Sequence, residues 1–251
     1  MMDIAAKVAL GPVLYRQAHQ LRRTALELPE PNGPRIGTVG DGPLALRLLV
    51  TGDSSAAGVG ARTQDQALAL PLARHLAARF AGRVHWQLIA ETGLTSEGAL
   101  HKLLHGHAQP ADVAVVIVGV NDITREVPLR QALRKRGEIV AWLCRRVGAQ
   151  AVLLLGLPEM ERFPALPQPL AWYAGQAARR NNRAQARWAR DFAAEYPALR
   201  HVPCEGLAER HLMAEDGYHP APALYARVAQ RLTEVIAGEV WPQLSGAHAR
   251  Q

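Results

Sequence analysis

From residue 44 onward, short runs of apolar residues alternate with longer stretches whose apolar positions recur at helical spacing. Few other patterns restrict the fold of a chain this strongly. Residues 44–50, 84–90, 113–118, 151–157 and 201–204 read as strands, and residues 64–80, 96–105, 129–147, 170–196 and 222–237 as helices. The third and fourth strands are almost wholly apolar, as strands covered on both faces must be, and the first is broken only by Arg47. Repeated strand and helix alternation predicts a mainly parallel sheet with right-handed crossovers and helices on both faces. In such sheets ligand sites gather at the carboxyl ends of the strands.

Three polar or glycine clusters fall on that edge. Gly52, Asp53 and Ser54 follow the first strand, Thr92 and Gly93 the second, and Gly119, Val120, Asn121 and Asp122 the third. Ser54 sits on a tight strand-to-helix connection, where its hydroxyl is exposed and a helix N-terminus favours negative charge. Gly-Asp-Ser is also an ordinary turn and helix cap, so this segment alone does not identify chemistry. Near the other end lies Asp216-Gly217-Tyr218-His219-Pro220. That separation can bring a carboxylate to Nδ1 of the imidazole, fixing its tautomer and leaving Nε2 to accept a proton from a serine. Asn121 can offer a side-chain N–H to an oxyanion, and Gly93 a backbone N–H with no side chain in the way.

These blocks, in this order, resemble those of the SGNH (GDSL-like) hydrolases. Ser54 in Gly-Asp-Ser, Gly93 after the second strand, Asn121 in Gly-Val-Asn-Asp and the Asp216 and His219 pair carry the resemblance, which spans about residues 44–237. It implies a three-layer α/β/α sandwich with a five-stranded parallel sheet of flavodoxin-like order, and esterase or lipase-type activity with no metal or cofactor. It implies Ser54, Asp216 and His219 as the catalytic residues, and Ser54, Gly93 and Asn121 as the oxyanion hole. Two departures stand out: Ser55 replaces the leucine of the family name, and the second block, Glu91-Thr92-Gly93-Leu94, lacks the asparagine that some members carry before the glycine.

The expected function is hydrolysis of carboxylic esters through an acyl-enzyme on Ser54, with a small-molecule ester as substrate. An acyltransferase or a sugar O-deacetylase uses the same triad. A non-catalytic, anion-binding module on a flavodoxin-like sheet uses the same strand ends, but leaves the spacing of Asp216 and His219 unexplained. The long apolar stretch after the fourth strand, residues 157–170, borders the same edge, and Met160, Phe163 and Leu166 are candidates for lining an acyl or alcohol pocket. The alternative is that they pack on the adjacent helix.

The 251 residues suit one catalytic domain, 44–251, preceded by an extension, 1–43. Within the extension, Leu14, Ala18, Leu21, Ala25 and Leu28 recur at helical spacing with arginines between them, so residues 12–28 read as an amphipathic helix and residues 29–43, rich in Pro and Gly, as a linker. The helix packs on the body or associates weakly with a membrane surface; its short face, part alanine, favours packing. Hydrophobic residues make up 49% and charged residues 20%, a folded composition. The net charge of +7 would suit nucleic acid or an anionic membrane, but Lys7, Lys102 and Lys135 are the only lysines and alanine is abundant, which reads as coding bias. No nucleic-acid partner is expected. The basic run 179–190 reads as a solvated helix face with Trp188 on the buried side. Cys144 and Cys204 are too few for a disulfide framework or a zinc site, and His101 and His105, though four apart, have no acidic or cysteine ligand nearby in sequence. Gly11 and Pro12 interrupt the apolar stretch 8–15, so no signal peptide is expected. No apolar run approaches the roughly 18 residues of a membrane span. A cytoplasmic location is the resulting expectation.

Overall fold

The computed structural model describes residues 2–243 except 193, 194, 197, 205, 207 and 208. Six strands form one sheet: β1 (Ile36–Val39), β2 (Leu44–Gly52), β3 (Arg83–Ala90), β4 (Val113–Ile117), β5 (Ala151–Leu155) and β6 (Leu199–Val202), in the order β1-β3-β2-β4-β5-β6. β2 to β6 run parallel, each joined to the next by a crossover, as the alternation of apolar runs requires. Their order is that of a flavodoxin-like sheet.

The sixth strand corrects the expectation of five. β1 pairs antiparallel with β3, from Ile36 opposite Gln87 to Val39 opposite Val84, and it comes from the segment that reads as a linker. Four residues between prolines and glycines, exposed and half-buried in alternation, are too short a signal to stand out in sequence; the free edge of β3 supplies their hydrogen bonds. The same segment is tied down further along. Glu30 accepts hydrogen bonds from the backbone N–H and the hydroxyl of Thr92, each at 2.7 Å, and pairs with Arg35, whose guanidinium donates to the Ala90 carbonyl at 2.8 Å.

Side chains alternate between two cores, one on each face of the sheet. Leu46, Leu48 and Val50 of β2, with Val113, Val115, Leu153 and Leu155, pack under α3 (Ala69–Phe80) and α8 (Pro222–Val235). Leu49, Ala114, Val116, Val152 and Leu154 face α4 (Ser96–His105), α6 (Leu129–Trp142) and the far end of α7 (Leu170–Asp191). Burial of both faces explains the continuous apolar runs of β4 and β5. Arg47, the one charge in the first predicted strand, lies near the start of β2 and forms an ion pair with Asp112 at 2.5 Å.

The N-terminal helix α1 (Met2–Thr24) is longer than its apolar spacing suggests and begins before Pro12. It rests on the start of α7: Leu14 is buried, and the Gln17 side chain donates to the Gln168 carbonyl at 2.7 Å and accepts from the Leu170 N–H at 3.1 Å. Val13 and Tyr15 face outward. Among the described residues no helix is long and apolar enough to cross a membrane.

Candidate active site

β2 ends in Gly52, at φ +151, where any Cβ would lie 1.9 Å from the Ile117 carbonyl oxygen of the adjacent strand. Only glycine allows this approach, and it turns the chain at once into the short helix α2 (Ser54–Ala57). Asp53 caps that helix by accepting the Ser55 N–H at 3.0 Å. Burial pushes the Asp53 carboxyl up to about 7, its neighbour Asp122 adding to the rise, while the Ser55 N–H, His219 and Arg136 act in the opposite sense. Ser54, the first residue of α2, is thus presented at the carboxyl edge of the sheet.

His219 approaches from a loop closed on itself. The Ala214 N–H donates to the His219 carbonyl at 2.7 Å, the Ala221 N–H to the Leu212 carbonyl at 2.8 Å, and Met213 bridges Pro220. The Ser54 hydroxyl lies 2.9 Å from Nε2 of His219, and Nδ1 lies 2.5 Å from Oδ2 of Asp216. The second oxygen of Asp216 accepts the N–H groups of Tyr218 at 2.9 Å and His219 at 3.0 Å. Burial alone would raise the Asp216 carboxyl, but the hydrogen bonds from the His219 ring and from these two N–H groups outweigh it and hold the carboxyl below its ordinary value. Asp216 is therefore ionised at neutral pH. Tyr218 packs edge-on against both His219 and Phe163, with ring centroids 5.3 Å apart in each case, which restricts the imidazole.

Asn121, in the short helix α5 (Val120–Thr124), and Gly93 come from different strand ends, and the structure joins their loops. The Asn121 amide donates one N–H to the Leu94 carbonyl at 3.0 Å, which leaves its second N–H available. Next to it, Asp122 accepts the Ser96 N–H at 2.9 Å and the Ser96 hydroxyl at 2.5 Å. Beneath both lies Arg136, almost fully buried, whose guanidinium donates to Asp122 at 3.0 Å, to Ser96 at 3.1 Å, and to the Asn181 and Gln185 carbonyl oxygens at 2.6 Å each. Gly119, at φ +134, leaves room for this cation, since a Cβ there would lie 2.4 Å from it.

Sequence reasoning missed this support. Nothing in the sequence singles out Arg136, and residues 179–190 read as a solvated basic face. Arg183, Arg187 and Arg190 do face outward, and Trp188 packs against the second core, but Asn181, Asn182 and Gln185 are buried. Asn182 holds both the N–H (2.7 Å) and the carbonyl (2.9 Å) of Leu157. These amides share the helical stripe of Ala178 and Ala189, but Ala177, Ala184 and Ala186 lie off it, so the alanine spacing does not single that stripe out. Replacing Arg136 with methionine leaves Asp122, Ser96, Asn181 and Gln185 buried without their donor. We expect a loss of about 3–5 kcal/mol of stability, measurable as a lowered denaturant midpoint with little change in the slope.

An apolar cavity of about 80 Å³ adjoins Ser54 and His219. Of the three pocket candidates from the sequence, Phe163 lines it. Met160 and Leu166 do not: Met160 is buried with Leu157, Ala174 and Ala178, and Leu166 packs against that cluster. The stretch after β5 thus behaves largely as a packing element on α7. His101 and His105 stack on each other, and the His105 Nδ1–H donates to the His101 carbonyl at 2.9 Å.

The crossover topology and the strand-end placement of these groups define an α/β/α protein of the SGNH hydrolase fold. The model of the GDSL-like lipase/acylhydrolase family matches residues 50–227, well over half of the chain, and the chain belongs to that family. The GDSL-like esterase Rv1075c of Mycobacterium tuberculosis is 28% identical over 195 residues, which are 76% of this chain and 61% of that protein, so the chain spans about three-fifths of this relative. Among solved structures, the lipase Lip_vut3 from a goat rumen metagenome superposes with a TM-score of 0.61 at 17% identity, over 78% of this chain and all (100%) of the other. A catalytic mutant of Axe2, an acetylxylan esterase from Geobacillus stearothermophilus, gives 0.57 at 16% identity, over 80% of this chain and 96% of the other. These structural likenesses show the shared fold.

Proposed function

We propose that this chain is a serine esterase that cleaves carboxylic esters through an acyl-enzyme on Ser54. The continuous relay from the Ser54 hydroxyl through both nitrogens of His219 to Asp216 carries this reading, because an anion-binding module has no need of it. Family membership and the esterase relative support it.

In this mechanism the Ser54 oxygen attacks the ester carbonyl as its proton passes to Nε2 of His219. The bond to the alcohol oxygen then breaks, and the imidazolium gives its proton to the departing alcohol. Water attacks the acyl-enzyme by the same route, which restores Ser54 and releases the acid. Asp216 remains ionised, keeps the proton of the resting imidazole on Nδ1 and stabilises the imidazolium when it forms. The backbone N–H groups of Ser54 and Gly93 and the free amide N–H of Asn121 receive the developing oxyanion.

The test is labelling by a fluorophosphonate together with hydrolysis of a short-chain nitrophenyl ester, on wild type and on Ser54→Ala. Labelling of wild type alone, with ester hydrolysis lost in the variant, is the expected result; equal labelling of both, or none of folded wild type, removes Ser54 from the role. Asn121→Ala should lower kcat by about 10²–10³-fold with KM little changed, and unaltered turnover would take Asn121 out of the oxyanion site.

A further inference from the structure

The cavity beside Ser54 has features that proton relay and oxyanion binding do not require. It lies on the face of the sheet covered by α3 and α8, where Ser54 and His219 meet the hydrophobic core. Leu68, Ile117, Leu155, Leu224, Tyr225 and Val228 line it. The Tyr225 hydroxyl already donates to the Val59 carbonyl at 2.7 Å. Gly93 and Asn121 are not part of the wall. An ester whose carbonyl oxygen points toward those two residues therefore has its remaining substituents to place elsewhere, and one direction open to them is this apolar pocket.

The pocket is partly open and the surface it shows is almost wholly apolar, so it suits hydrocarbon. An apolar cavity of roughly 150 Å³ takes benzene, about six carbons, so a space of about 80 Å³ takes about three. Val228 lines it one helical turn beyond Leu224, about 6 Å further along α8; Ala229 and Leu232, further along the helix, are fully buried.

We propose that this cavity holds the acyl chain of the substrate and limits it to short acyl groups of about four carbons or fewer, the carbonyl carbon and about three beyond it. This rests on Ser54 being the nucleophile. The acyl chain points inward between α8 and the sheet, while the alcohol leaves on the open side past His219.

The experiment is a series of nitrophenyl esters from acetate to decanoate, with fluorophosphonate labelling as an independent readout of Ser54. In wild type, kcat/KM should rise about fourfold for each methylene buried and then fall at least tenfold between butanoate and decanoate. Val228→Phe narrows the cavity and should lower the butanoate-to-acetate ratio of kcat/KM at least tenfold. Val228→Ala deepens the cavity and should move the fall-off to longer chains; it decides the matter alone if the phenylalanine variant does not fold. Wild type that is labelled but shows no chain-length optimum, or folded variants with the wild-type profile, would overturn the acyl assignment and leave Ser54 untouched. Absence of labelling in wild type would instead overturn the nucleophile itself.

Discussion

Replacing Ser54 with alanine is expected to lower kcat for a short-chain nitrophenyl ester by about 10⁵–10⁶-fold, with no loss of thermal stability. The size of the effect follows from what is removed. In the proposed mechanism His219 and Asp216 act on the first attack through the Ser54 hydroxyl, which is the group hydrogen-bonded to Nε2 at 2.9 Å. Without that oxygen no acyl-enzyme can form, and what survives is the residual catalysis of an oxyanion site acting on bound ester and water. The fold should tolerate the change, because Asp53 and not Ser54 caps α2 and Gly52 makes the close approach to Ile117. Turnover, melting midpoint and fluorophosphonate labelling measured on one preparation separate chemistry from folding. A folded variant retaining even a tenth of the activity would place the nucleophile elsewhere.

Asp216→Asn should cost about 10⁴-fold in kcat, again with the fold retained, and the reason is a tautomer. One oxygen of Asp216 is held by two backbone N–H groups, those of Tyr218 and His219, which demand an acceptor. An asparagine must therefore give its carbonyl oxygen to them and turn its amide N–H₂ toward Nδ1 of His219. That nitrogen then has to accept, so the imidazole proton moves to Nε2, where it blocks proton transfer from Ser54. The variant also loses the negative charge that stabilises the imidazolium. Wild-type rates in Asp216→Asn would show that His219 is not the base.

The sheet and much of the candidate site were legible in the sequence, for different reasons. β4 and β5 announced themselves because burial on both faces leaves no polar position, a constraint each strand satisfies within its own residues. Ser54, Asp216 and His219 stood out because each motif is local: a tight turn before a helix, and a carboxylate three residues from an imidazole. β1 did not, because its pairing depends on an edge of β3 some fifty residues away in the chain. Arg136, Asn181 and Gln185 did not either. A helical charge or amide looks solvated until the packing of α6 and α7 encloses it, and nothing in the spacing of residues 129–142 or 170–191 says which polar groups will meet.

The alternation from residue 44 onward therefore determined the element types, their parallel order and the edge on which Gly52-Asp53-Ser54, Gly93 and Asn121 emerge, since periodicity and strand-end position are properties of contiguous residues. Tertiary structure alone decided the rest. It brought Ser54 and His219, 165 positions apart in the chain, to 2.9 Å. It buried an arginine under Asp122 to brace the loop of Asn121. It left an apolar space of about 80 Å³ beside the nucleophile. Each of these is set by distances between elements, and those distances come from how side-chain volumes fill two cores at once, a sum over the whole molecule that no local pattern encodes.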